Sequence, residues 1–339
     1  MTLSWFQIAR LGTVQMCLGA IVVLMTSTLN RLMAVELSLP IVVPGFLVAL
    51  HYGVQISRPS WGFLSDAGGN RTRWIIGGMG MLAGGALMAA GALALFPVSF
   101  WGGMAVSMLA YAVIGLGVGA SGTSLLALLA TATAPHRRPA AATITWLMMI
   151  AGIVLTALAT GQALDPYSHP RLMVIVGVVA AVAMSLTTLA IWGIERRVVT
   201  TREPRPMPLR QGLAEIWAEP RARMFTLFVF LAMSAYFMQE LILEPYAGLV
   251  FHLSPGQTTT LSGAQNGGVF LGMLAVGVLA TGLGLGSLKA WVVAGCLGSA
   301  AALLALALLG TTGDAALLTP AVMALGLFNG MFAVAAIGS

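Results

Sequence analysis

Apolar runs of about 20 residues recur along this whole chain, each long enough to cross a hydrocarbon layer of ~30 Å as a helix. That recurrence restricts the fold more than any single motif does. Inside lipid every backbone N–H and C=O must be satisfied by the protein, which leaves α-helices or a closed β-barrel. A barrel would show alternating segments of about 10 residues, and the sequence has none. Composition agrees. The chain is 59% hydrophobic and only 8% charged, against about 25% charged for a soluble domain, too little to cover a water-facing surface. It reads as an all-α polytopic membrane protein.

Hydrophobic patterning predicts ten spans, near residues 11–33, 40–64, 74–96, 99–126, 140–164, 172–194, 224–243, 258–283, 288–309 and from 315 onward. Residues 1–10 form an amphipathic lead expected to lie at the membrane interface. Residues 195–223 break the pattern, with seven arginines and three prolines between Pro204 and Pro208. The expected organisation is a six-helix half at 1–194, a basic linker at 195–223, and a second half at 224–339 with about four helices. A six-helix first half predicts a six-helix second, so about two more helices are expected beyond residue 339.

The net charge of +6 is carried by arginine, Lys289 being the single lysine. On a soluble chain it would suggest nucleic acid, but here the positive-inside rule accounts for it. With the N-terminus and linker cytoplasmic, Arg10, Arg71, Arg73, Arg137, Arg138, the linker arginines and Lys289 all fall inside. The reverse topology would place these thirteen cations outside. Cys17 and Cys296 lie within apolar runs and read as packing residues, not a disulfide framework. No metal-ligand spacing or catalytic constellation is present. Gly115–Ala120 lacks the preceding strand that a dinucleotide fingerprint needs.

The tightest polar turn is Gly62-Phe63-Leu64-Ser65-Asp66-Ala67-Gly68-Gly69-Asn70-Arg71-Thr72-Arg73. Glycines permit a tight turn and close helix approach. Asp66 can pair with an arginine or cap a helix N-terminus, so Gly62, Asp66, Gly69, Arg71 and Arg73 form a candidate conformational latch. This stretch resembles the major facilitator signature between helices 2 and 3, with Asn70 in place of the usual first cation. A major facilitator fold of two six-helix halves is the expectation. His51-Tyr52, Gln55, Arg58-Pro59 and Trp61-Gly62 just upstream resemble the PucC type, or bacteriochlorophyll delivery family. So do Leu29–Leu37 at the end of helix 1 and Gln239–Gly248 after helix 7.

The resemblance implies a non-enzymatic assembly factor for bacterial light-harvesting complexes. It would bind or deliver bacteriochlorophyll, with carotenoid or lipid as further candidates, or dock on antenna polypeptides and the reaction-centre complex. The membrane implied is the bacterial inner membrane, cytoplasmic or intracytoplasmic photosynthetic. An ordinary secondary transporter of a small hydrophobic solute, working by alternating access, is the other reading. A subunit permanently bound to a photosynthetic complex is a third.

Polar groups inside a membrane are costly and mark function by default. His51, with Tyr52 beside it, is the candidate axial ligand to a chlorin magnesium, set against the commoner packing role. Arg31 is expected to pair with Glu240 or Glu36 across an outer vestibule, with Glu244 at the same depth, as a gate or staple between halves. Gln55, Arg58, Gln265 and Asn266 are expected to line a cavity. Glycine pairs Gly80/Gly84, Gly115/Gly119, Gly268/Gly272 and Gly326/Gly330 are expected to bring helices close.

Overall fold

A computed structural model describes residues 2–67, 70–195, 214 and 217–338, and among them all regular structure is helical. The first half comprises α1 (Trp5–Val23, continuing through π-helical turns to Glu36), α2 (Val42–Val54), α3 (Arg58–Ala67), α4 (Arg71–Ala92), α5 (Phe100–Ala132), α6 (Arg138–Leu164) and α7 (His169–Ile191). The second comprises α8 (Pro220–Val250), α9 (Pro255–Val276, then π-helical to Gly282), α10 (Leu288–Thr312) and α11 (Leu318–Gly338). Among the described residues nine helices are long and apolar enough to span a membrane; α2 and α3, joined by a 3-10 turn, cover the expected second span.

Helix starts follow local chemistry. Ser4 with Gln7 and Ser254 with Gln257 form capping boxes at α1 and α9. Ser99, Ser168 and Ser287 accept from the first turns of α5, α7 and α10.

The boundaries depart from the sequence expectation in three places. Residues 1–10 are not a separate interfacial lead. Helix α1 begins at Trp5, Ile8 is fully buried, and the Leu3 N–H donates to the Ala132 carbonyl at 2.9 Å. The second span is broken by a 3-10 turn at Gln55–Ser57. Pro59 has no N–H for the Gln55 carbonyl, which accepts the Arg58 N–H instead, while the Ser57 hydroxyl donates to the Val54 carbonyl at 2.7 Å.

Third, Gln239–Gly248 does not follow the seventh long helix but lies inside α8, which runs through Pro245 to Val250. Of the expected linker, Glu195 is held on the first half, Pro220–Arg223 is the first turn of α8, and residues 196–213 and 215–216 lie outside the described residues.

In the first half α1, α4, α5, α6 and α7 pack around a single core. In the second, α9 and α11 meet on a reciprocal glycine seam. A Cβ at Gly268 or Gly272 would strike the Met323 or Leu327 carbonyl, and one at Gly326 or Gly330 the carbonyl of Gln265 or Val269. Gly80 and Gly84 make no comparable approach, since a Cβ at Gly84 would meet nothing within 4 Å.

The halves join mainly through α6 against α9, where Ile150, Val269 and Met273 form a shared apolar cluster. Below, the end carrying the 65–73 turn and residue 195 is the linker end; the opposite end, near residues 36, 165 and 253, is the far end.

Candidate functional site

The polar groups inside the fold gather at two levels, a junction near the far end and a row along the broken span. Among the described residues, the hydrogen bonds that cross between halves lie at the junction. Ser27 and Ser262 hydroxyls are 2.8 Å apart, and Thr28 and Thr259 hydroxyls 3.2 Å. Asn30 Nδ2 donates to the Leu241 carbonyl at 2.8 Å, and Arg31 Nη2 to the Leu253 carbonyl at 2.8 Å. Asp165, at the end of α6, accepts the Ser254 hydroxyl at 2.5 Å and the Gly256 N–H at 3.1 Å. Its carboxylate thus sits on the positive N-terminus of α9. Gly256 must be glycine there, because a Cβ would lie 2.5 Å from the Asp165 carboxylate.

Asn30 has a specific job. Pro245 cannot donate to the carbonyl four residues back, Leu241, and would leave it orphaned inside a helix. The Asn30 amide, from the other half, supplies that missing donor. Asn30→Leu is therefore expected to destabilise the protein by about 1–3 kcal/mol, the cost of a buried unsatisfied carbonyl. In a Pro245→Ala background, where the helix can satisfy Leu241 itself, the same substitution should cost much less. Equal costs in both backgrounds, by denaturant unfolding followed through helical circular dichroism, would refute the role.

Arg31 is buried and forms its ion pair with Glu36, on its own span rather than across the halves. Tyr167, in the loop after α6, lies near this pair. Burial raises its phenol above the ordinary value, with the Glu36 carboxylate adding to the rise and Arg31 opposing it. Glu244 is 1% exposed, lies beside Ser27, Ser262 and Arg31, and neither carboxylate oxygen has a hydrogen-bond partner. Glu240 lies one turn away, among Tyr52 and Tyr236.

The second level is a chain of side chains on α2 and α3. The Arg58 guanidinium, which only donates, bonds Gln55 Oε1. That orients the amide so that Gln55 Nε2 donates to His51 Nε2, 2.8 Å away. His51 Nε2 is therefore an acceptor, and the ring proton sits on Nδ1, which is buried without a partner.

The row rests on α5. A Cβ at Gly115 would stand 2.6 Å from the His51 carbonyl, and one at Gly119 3.1 Å from the Trp61 ring. Tyr52 carries the row toward the second half through Phe237, with ring centroids 4.9 Å apart. A magnesium ligand needs a free imidazole lone pair, and in this arrangement the one lone pair of His51 is given to Gln55. As arranged, His51 does not fit a chlorin.

Asn266 donates to the Ser262 carbonyl of its own helix at 3.0 Å, and Gln265 is buried beside it. Neither they nor Gln55 and Arg58 line two open clefts of the described residues, one at the α6–α9 junction and one beside Trp61. Of the latch, Gly69 and the Asp66 side chain lie outside the described residues. At Gly62 a Cβ would make an ordinary 3.6 Å contact with Thr123, so no close approach requires glycine there. Arg71 donates to Thr131 at 2.5 Å and to the Ala127 carbonyl, while Arg73 is exposed.

Sequence reasoning missed Glu195, which accepts the Arg71 and Thr72 N–H groups at 2.8 and 2.9 Å and the Thr72 hydroxyl at 2.6 Å. It caps α4 from more than 120 residues away. Asp165 and Asn30 were likewise passed over. Only Asn30 had a readable signal, the proline within the α8 pattern.

A polytopic helical protein of this architecture, with its halves joined along α6 and α9, has the major facilitator fold. A bacterial homologue of the human lysosomal transporter Spinster, inward-facing and unoccupied, matches with TM-score 0.66 at 14% identity, covering 99% of this chain and 75% of that one. The family described as PUCC protein matches residues 28–339, and the chain belongs to it. It is 63% identical over 340 residues to the "bacteriochlorophyll synthase 44.5 kDa chain" of Rhodobacter capsulatus, covering 100% of this chain and 79% of that protein. It is 30% identical over 292 residues to "Protein PucC" of Cereibacter sphaeroides, covering 81% of this chain and 63% of that one.

Proposed function

We propose that this chain is an assembly factor for bacterial light-harvesting complexes, handling bacteriochlorophyll or the antenna polypeptides that receive it. Membership of the PUCC family carries the reading, and the name of the 63% identical relative points to the same pigment. That name designates a synthase; the role proposed is non-catalytic. Carotenoid or lipid is a further candidate cargo, and the reaction-centre complex a further partner. The protein would sit in the inner or intracytoplasmic photosynthetic membrane with its N-terminus and linker cytoplasmic, as the arginine distribution supports.

The test is purification from a phototrophic membrane, with an absorption spectrum and identification of co-purifying polypeptides. Bacteriochlorophyll absorption or bound antenna polypeptide is expected. A colourless protein free of antenna polypeptides would defeat the proposal.

Within this reading His51 takes pigment only after Gln55 lets go. Gln55→Leu, which frees Nε2, is expected to increase pigment retained on purification, and His51→Leu in that background to abolish the increase. No change in the Gln55→Leu spectrum would remove His51 from the pigment path.

A second reading, alternating-access transport of a small hydrophobic solute, draws on one observation. The described hydrogen bonds between halves are confined to the far-end junction, as in a carrier closed at that end. Spin-label distances across the linker end that stay constant with and without candidate solutes would count against it.

A further inference from the structure

On the flank of the first half, at the linker end, a cleft of ≈ 540 Å³ opens where α3, α4 and α5 meet. It is separate from the far-end junction and borders the His51 row only through Trp61. Its chemistry is graded along α4: Asn70 at the N-cap, Arg73 and Trp74 in the first turn, Gly77 in the next, and Met81 beyond. Asn70 to Met81 is a rise of about 16 Å along the helix.

At the polar end Arg73 is exposed, and its guanidinium makes no hydrogen bond to any described residue. The Trp74 indole N–H likewise has no described acceptor. Trp61 closes the side against Trp74, ring centroids 5.5 Å apart. Along the floor, Gly78 is pressed on α5, where a Cβ would lie 2.5 Å from the Ser121 nitrogen, but a Cβ at Gly77 would meet nothing within 4 Å.

We propose that this cleft binds one anionic phospholipid, its phosphate on Arg73 and the Trp74 N–H, and an acyl chain lying over Gly77 toward Met81. The order of groups is that of an amphiphile at a membrane boundary: a cation, then tryptophans, then an apolar floor. A guanidinium matches a phosphate with directed, charge-assisted bonds. An anionic head leaves that attraction uncontested, whereas a zwitterionic head brings its own cation to Arg73. A transmembrane helix fits less well, since its apolar surface brings no anion to Arg73.

The protein in mild detergent is given equal amounts of phosphatidylglycerol and phosphatidylcholine of identical chains and analysed by native mass spectrometry. One phosphatidylglycerol should be retained with roughly five- to tenfold preference, about the net worth of one ordinary hydrogen bond. Arg73→Gln should bring the preference to near unity. Gly77→Leu, which grows into open space, should lower retention of both lipids, and Lys289→Gln, on the other half, should change nothing. Equal retention by the unaltered protein, indifference to Arg73→Gln, or an equal loss with Lys289→Gln would overturn the assignment. So would a co-purifying polypeptide that Gly77→Leu removes while phosphatidylglycerol stays bound, because the cleft would then be a protein interface. Arg73 is exposed, so its variant keeps the test decisive even if Gly77→Leu folds poorly.

Discussion

Arg31→Met is expected to cost about 3–5 kcal/mol, the range for removing one partner of a buried ion pair. Glu36→Gln should cost only about 1 kcal/mol or less, as for a partly exposed pair. The asymmetry follows from the surroundings. The Glu36 side chain is 36% exposed while that of Arg31 is 3% exposed. Arg31 also donates to the Leu253 carbonyl and lies beside the buried Glu244 side chain.

Removing the arginine breaks a bond between halves and takes the cation away from Glu244; Glu36→Gln leaves both in place and keeps an amide oxygen that can accept from Arg31. Glu244→Gln should therefore restore part of the stability lost in Arg31→Met, a coupling that a double-mutant cycle reads directly. Denaturant unfolding of the purified protein is the measurement. Equal losses for Arg31→Met and Glu36→Gln, with no coupling to Glu244, would place the anchor of Arg31 in the Glu36 pair alone.

Gly272→Val is expected to be at least as damaging, about 3 kcal/mol or more, at the upper end of overpacking costs. The new Cβ would meet the Leu327 carbonyl, which is backbone and cannot turn aside as a side chain can. The seam is reciprocal, with Gly326 and Gly330 presented to α9 in the same way, so α9 and α11 must separate along their length. Gly84→Val, on an open face of α4, is the matched control and should fall within about 0.5 kcal/mol of the original. Similar losses at both positions would mean that valine's helix propensity, not the seam, sets the cost.

Much of the architecture was legible because the bilayer imposes a length and a polarity on every span. The ten runs, the break at 195–223 and the resemblance of Gly62–Arg73 to the facilitator signature each rest on local pattern. The glycine pairs were legible only as a type. Spacing marks Gly80/Gly84 and Gly268/Gly272 alike, but whether another helix backbone lies against the pair depends on which neighbour the fold supplies. His51 shows the same limit. Its depth suggested a ligand, and the orientation of Gln55, set by Arg58, shows its lone pair already used.

The sequence by itself determined the class, the spans and the family resemblance, because hydrophobic length and turn chemistry act over a few residues. Only the tertiary structure decided which polar groups join the halves. Asn30 with Leu241, Asp165 with the start of α9 and Glu195 with the start of α4 are separated by 211, 91 and 124 residues. Each is a donor or acceptor freed by a proline or a helix end and satisfied by a distant side chain. In an interior without water such a group must find a partner somewhere in the protein, and where it finds it depends on packing alone.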